Sequence, residues 1–103
     1  MGMPMLIRAK QKGENTEVKV LVKHDMETGR RKDEAGNLVP AHFIKTISAS
    51  CEGKIIFEGE LGPAVSKDPF LSFSFKNGKK GDKVSITWVD NKDDSRTDET
   101  KIR

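Results

Sequence analysis

The sequence contains one cysteine, one tryptophan and no tyrosine, and aromatic residues make up only 6% of it. With Cys51 alone, neither an internal disulfide framework nor a Cys-rich zinc site can be built. No apolar run approaches the ~18 residues of a membrane-spanning helix. The opening stretch, Met1-Gly2-Met3-Pro4-Met5-Leu6-Ile7, runs straight into Arg8 and Lys10. It has neither a long apolar segment nor a small-residue cleavage site, so no secretory signal is expected. Length sets a further limit. A chain of 103 residues is expected to form one domain, residues 1–103, with a modest core and no deep catalytic cleft.

What is present is charge and alternation. Charged residues reach 34%, and 19 basic side chains against 16 acidic leave a formal net charge of +3. The two signs are interleaved along most of the chain, which favours a solvated surface over a nucleic-acid face. The hydrophobic share, 34%, suits a thin two-layer core. The dominant period is two. Val18, Val20 and Val22 alternate with lysines over residues 16–24, and Phe43, Ile47, Ala49 and Cys51 share one face of 41–51. Ile55, Phe57 and Leu61 form a third set, Leu71, Phe73 and Phe75 a fourth, and Val84, Ile86 and Trp88 a fifth. Each set reads as a strand with one face to a core and one to water. Strands at 6–10 and 97–102 complete the pattern. About seven antiparallel strands, mostly 10–14 residues apart, predict an all-β, immunoglobulin-like β-sandwich without the antibody disulfide.

Turn residues fall between these runs. Lys12-Gly13-Glu14-Asn15 and Glu52-Gly53 close hairpins, Asn77-Gly78 opens a loop, and residues 90–95 break the last pair. Glycine is expected there for its positive φ. Two connections exceed what a minimal sandwich needs. Residues 25–40 are long and dense in charge, and residues 61–69 carry two prolines beside a bare Ala-Val pair. Long ordered loops are disproportionately functional, and prolines offer a rigid, mildly apolar surface.

Each candidate for chemistry meets a simpler explanation. Cys51 lies on the face of Ile47 and Ala49, which points it inward as an inert thiol rather than a nucleophile. His24 and His42, with Asp25 or Cys51, are conceivable metal ligands. They flank different strands and lack a local ligand spacing, so ordinary loop-edge histidines are expected and no metal or cofactor site. Ser66 has no nucleophile elbow around it. Gly78-Lys79-Lys80-Gly81 precedes a strand, not the helix that a phosphate loop requires. Trp88 reads as core. No catalytic constellation emerges, and an enzyme is not expected.

Three longer strings carry more information. HDMETGRRKDEAGNLVPAHFI, GPAVSKDPFLSFSFK and GDKVSITWVDNKDDSRTDE closely resemble SoxZ, the smaller subunit of the SoxYZ carrier of bacterial thiosulfate oxidation. The resemblance extends from Ile7 to Ile102. Asp25 departs from it, standing where the family commonly has proline. The resemblance implies an immunoglobulin-like sandwich that is not itself an enzyme and pairs with SoxY as a heterodimer. SoxY carries the sulfur intermediate on a cysteine in its C-terminal Gly-Gly-Cys-Gly arm, and other sulfur-oxidation enzymes act on that arm in transient contact. It also implies a periplasmic location, reached by export with SoxY on the partner's twin-arginine signal.

For the pairing surface, the sequence suggests His42, Phe43 and Ile44 together with Pro63, Ala64, Val65, Pro69 and Phe70. The same surface can drive a homodimer when the chain is alone. Outside sulfur metabolism, the alternative is a generic β-sandwich interaction module. Two rival classes complete the set. One is an enzyme using His42 and Cys51. The other is a nucleic-acid module using Arg30, Arg31, Lys32, Lys79 and Lys80, whose runs Asp33, Glu34 and Asp82 interrupt.

Overall fold

Seven strands follow one another along the chain: β1 (Leu6–Lys12), β2 (Asn15–Leu21), β3 (Ile44–Cys51), β4 (Lys54–Glu60), β5 (Phe70–Lys76), β6 (Lys83–Asp90) and β7 (Ser95–Lys101). They come from a computed structural model, which describes residues 3–103. Met1 and Gly2, the first two residues of the stretch read for a secretory signal, lie outside the described residues. The strands form two antiparallel sheets, β1-β2-β5 and β4-β3-β6-β7. The fourth strand thus joins the larger sheet, whereas in antibody constant domains it completes the sheet of the first two strands. Among the described residues, no helix is long and apolar enough to cross a membrane.

The inner faces are those the alternation predicts. Val18 and Val20 of β2 meet Ile47 and Ala49 of β3 and Val84, Ile86 and Trp88 of β6, all at most 2% exposed. On one flank the sandwich is closed by Phe57 of β4 stacked on Phe73 of β5, rings 4.6 Å apart and nearly parallel. Polar links close the other. Asp98 of β7 accepts hydrogen bonds from the Met5 amide and the Arg96 guanidinium, and Arg103 exchanges backbone hydrogen bonds with Ala9 and Gln11 at the edge of β1. The last strand, which sequence marks only as polar, is therefore held by its ladder with β6, by the Met5–Asp98 hydrogen bond and by the Arg103 backbone bonds, with Ile102 just past it buried in the core.

Two bulges shift the pattern. Between Ile44 and Thr46 the β3–β6 register slips, so Lys45 is the extra residue. Ile44 is consequently fully buried, and Phe43 only partly so. A second slip between Ala49 and Ser50, opposite Ile56, turns Ile55 outward at 66% exposure while Phe57 points in. A bulge inserts one residue into one strand and reverses the facing of the residues beyond it. A strict period of two is blind to both.

The turn glycines divide by cause. Glu52 and Gly53 both have positive φ (47° and 84°), the requirement of a tight hairpin. Gly78 does not. There Asn77 takes the left-handed conformation at φ 71°, and Gly78 is needed for space. A Cβ on it would lie 2.6 Å from Thr16 Oγ1 and 2.9 Å from the Phe75 ring.

Candidate functional site

Four chain segments meet at one end of the sandwich. The chain leaving β2 turns back at His24–Met26, and the 25–43 connection returns to β3 through bridges pairing Glu27 with His42 and Lys32 with Leu38. The connection into β5 is clamped alongside. The Val22 amide donates to the Pro69 carbonyl (2.9 Å), the Asp68 amide to the His24 carbonyl (2.9 Å), and the His24 amide to Asp68 Oδ1 (3.0 Å). Asp68 and Met26 hold positive φ, 52° and 53°. Such strain in a non-glycine residue persists only where the surroundings over-determine it. At Met26 those surroundings are visible: its amide donates to His24 Nδ1 (3.1 Å) and its sulfur accepts from the Ile44 amide (3.4 Å).

Asp90 is the hub. It ends the inward row Val84, Ile86, Trp88, and its side chain has no exposure. Oδ1 accepts the amides of Lys92 and Asp94, each at 2.9 Å. Oδ2 lies 3.1 Å from His24 Nε2 and 2.7 Å from His42 Nε2. Burial alone would raise the carboxyl pKa. The hydrogen bonds from His24 and His42, then those from the Asp94 and Lys92 amides, outweigh it and bring the pKa from 3.8 to about 2. Asp90 is therefore ionised at neutral pH.

The hydrogen bonds also settle a tautomer. His24 Nδ1 accepts from the Met26 amide, so the proton of the neutral ring is on Nε2 and is donated to Asp90. The His24 ring is packed edge-on against His42 (centroids 4.4 Å) and Trp88 (5.1 Å), which fixes its plane. His42 is the accessible member, its side chain 26% exposed.

The cluster forms the floor of an open cavity of about 450 Å³, whose rim includes Lys23, Asp25, Lys67, Asp68 and Asp94. An imidazole oriented by a buried carboxylate is half of a nucleophilic triad. Among the described residues, no serine, threonine or cysteine lines the cavity. Cys51 sits at the other end of β3, paired with Val84 while Ile44 pairs with Asp90, and is 8% exposed. Burial, then the charges of Asp82 and Glu52, push its thiol pKa up. The structure thus separates the two residues of the His42–Cys51 enzyme reading by the length of a strand.

The residues suggested for pairing scatter around this end. His42 belongs to the cluster, and its Phe43 neighbour is partly buried, its amide bound to Asn91 Oδ1 at 2.8 Å. Pro63 and Ala64 are exposed, Val65 is half-buried, and Phe70 is 61% exposed. Two need correcting. Ile44 is fully buried because of the Lys45 bulge, and Pro69 is buried where its carbonyl anchors Val22. Neither can touch a partner in this fold. Asp90 itself reads in the sequence only as the start of the 90–95 turn. The signal was its parity: a carboxylate continuing the face of Val84, Ile86 and Trp88 must find donors inside.

A family model described as "Sulphur oxidation protein SoxZ" matches residues 5–101. The chain belongs to the SoxZ family. It is thereby a sulfur-oxidation protein. No curated protein matches the chain. Solved structures resemble it in fold. Superoxide reductase from Nanoarchaeum equitans aligns with a TM-score of 0.68 at 17% identity, over 97% of this chain and 92% of that one. The hypothetical protein PH1083 from Pyrococcus horikoshii OT3 gives 0.65 at 20% identity, over 99% and 89%. Reduced superoxide reductase (neelaredoxin) from Archaeoglobus fulgidus gives 0.65 at 21%, over 94% and 86%.

At such identities the likeness concerns the backbone alone. Among the described residues, one group of three metal-capable side chains converges, His24, His42 and Asp90, with ligand atoms within 4.8 Å of one another. It does not fit an ion. The Met26 amide occupies the lone pair of His24 Nδ1, so Nε2 keeps its proton for Asp90 and has none to offer a metal. What remains, His42 and Asp90, falls short of the three protein ligands of typical catalytic sites.

Proposed function

We propose that this SoxZ chain is the non-catalytic subunit of a SoxYZ carrier. It pairs with a SoxY chain that holds the sulfur intermediate on the cysteine of its C-terminal arm. The observation that carries this reading is the burial of the one thiol in a chain whose family is a sulfur-oxidation protein. A carrier sulfur must be reached by several enzymes, and Cys51 faces a core with its pKa raised. The reactive sulfur then belongs to a partner, and this chain supplies a rigid sandwich and its surfaces. Other sulfur-oxidation enzymes meet the pair transiently. Its place is the periplasm, reached by export of the folded pair on the SoxY signal.

Co-expression with a SoxY chain and purification through a tag on one subunit tests the reading, together with thiosulfate turnover in the reconstituted pathway. A one-to-one complex with turnover unchanged by Cys51→Ser is expected. Absence of a complex, or loss of turnover in Cys51→Ser with the fold intact, overturns it.

A further inference from the structure

The cross-strand register places three apolar side chains side by side on the outer face of the three-stranded sheet. Leu6 pairs with Leu21, and Leu21 with Phe70. Leu6 and Phe70 are 60% and 61% exposed. Their neighbours toward the core, Ile7, Val20 and Leu71, point inward, so the row is not the edge of the core showing through. Next on the same face come Arg8 with Lys19 and Ser72, then Lys10 with Glu17 and Ser74, then Lys12 with Asn15 and Lys76.

The charge on this face is one-sided. Five cations stand against Glu17, an excess of four on a chain whose whole net charge is +3. Glu17 is shared by Lys12 and Lys19, while Arg8, Lys10 and Lys76 make no ion pair among the described residues. The outer face of the other sheet is more balanced, with hydroxyls such as Ser48, Ser50 and Thr87 beside Glu58, Glu60 and Glu99, Lys83 and Lys101 at its end and Ile55 exposed as a single apolar residue. The cation excess is thus particular to the three-stranded sheet.

An apolar row bordered by unpaired cations fits one kind of surface. The row asks for an apolar socket and the cations ask for carboxylates around it. Three strands with four rows span roughly 15 by 20 Å. That is less than half of the ~800 Å² per partner of a standard interface. The footprint therefore continues past Phe70 onto the exposed Pro63-Ala64 connection that leads into it. We propose that this face is the docking site for an acidic protein surface carrying an apolar socket, and that the surface belongs to SoxY. The inference rests on the SoxY reading above and assigns the face by which pairing occurs.

The test measures the affinity of purified SoxY for the wild-type chain and for four variants, each checked for native circular dichroism. Leu21→Glu and Phe70→Ser break the row, Arg8→Glu reverses a free cation, and Glu58→Lys alters the opposite face. Row variants are expected to weaken pairing by about tenfold or more, as loss of an interface anchor does. Arg8→Glu weakens it at low salt and flattens its salt dependence, while Glu58→Lys leaves it unchanged. If the wild-type chain does not bind SoxY, both readings fall. If it binds and the row variants bind equally well, or only Glu58→Lys is impaired, the pair stands and the face is wrong. Binding of this face to anionic vesicles with SoxY affinity untouched also overturns the proposal.

Discussion

Replacing Asp90 by alanine should unfold the chain at markedly lower temperature, because one carboxylate serves four donors. Its removal leaves the Lys92 and Asp94 amides and the Nε2 protons of His24 and His42 without an acceptor. The two backbone groups can turn to water at the rim. The His24 side chain, 3% exposed, cannot, and an unmade buried hydrogen bond costs about 1–3 kcal/mol. Breaking a buried charged network by deleting one member costs about 3–5 kcal/mol in total. In a domain of this size that corresponds to a fall in Tm of about 12 °C or more.

Asp90→Asn sharpens the test. Its amide would face two Nε2 donors; His42 can change tautomer, whereas the Met26 amide prevents His24 from following. The pH dependence has a fixed sign. A carboxyl whose pKa is about 2 in the folded chain and 3.8 otherwise contributes stability that is complete above pH 4 and lost as pH falls toward 2. That contribution is about 2 kcal/mol. Urea unfolding at pH 7 and between pH 4 and 2 reads both effects. The gap between wild type and Asp90→Asn should narrow across the acid window. A Tm for Asp90→Ala within about 4 °C of wild type, or a gap constant from pH 4 to 2, would refute the account of the hub.

Gly78→Ala should cost about 1–3 kcal/mol by overpacking against Thr16 and Phe75, although its φ suits alanine. Denaturation midpoints check this, and a neutral result would mean that the loop moves aside freely. Cys51 should react with a thiol reagent about a hundredfold more slowly in the native chain than in denaturant, given its burial and raised pKa. Fast stoichiometric labelling of native protein at pH 8 would contradict the buried placement and reopen a role for this thiol.

The strands were legible because each buries one face, and the valines of β2 and the Val-Ile-Trp row of β6 can satisfy a core in only one register. Legibility failed where the chain adds a residue. Ile44 and Ile55 were assigned the wrong side because Lys45 and Ile56 are bulged, and no local residue type announces a bulge. The histidines failed for another reason. Each looks ordinary in its own segment, and the acceptor that unites them lies 66 and 48 residues further along. Gly78 was read for its torsion angle, whereas its need for space depends on Thr16 from another strand. Family membership was carried by long strings of loop residues, many of which line the clamped end of the sandwich.

The Lys45 bulge also acts as a length gauge. Without it the alternation of β3 would run unbroken, sending Phe43 inward and Ile44 and His42 out to solvent. With it, His42 reaches the buried carboxylate at 2.7 Å and the whole 25–43 connection is pulled home behind it. A chain in which Lys45 joined the ladder instead of bulging could keep every strand and still lose the latch. In this protein the shape of one end depends on which residue the ladder leaves out as well as on the kinds of residue in it.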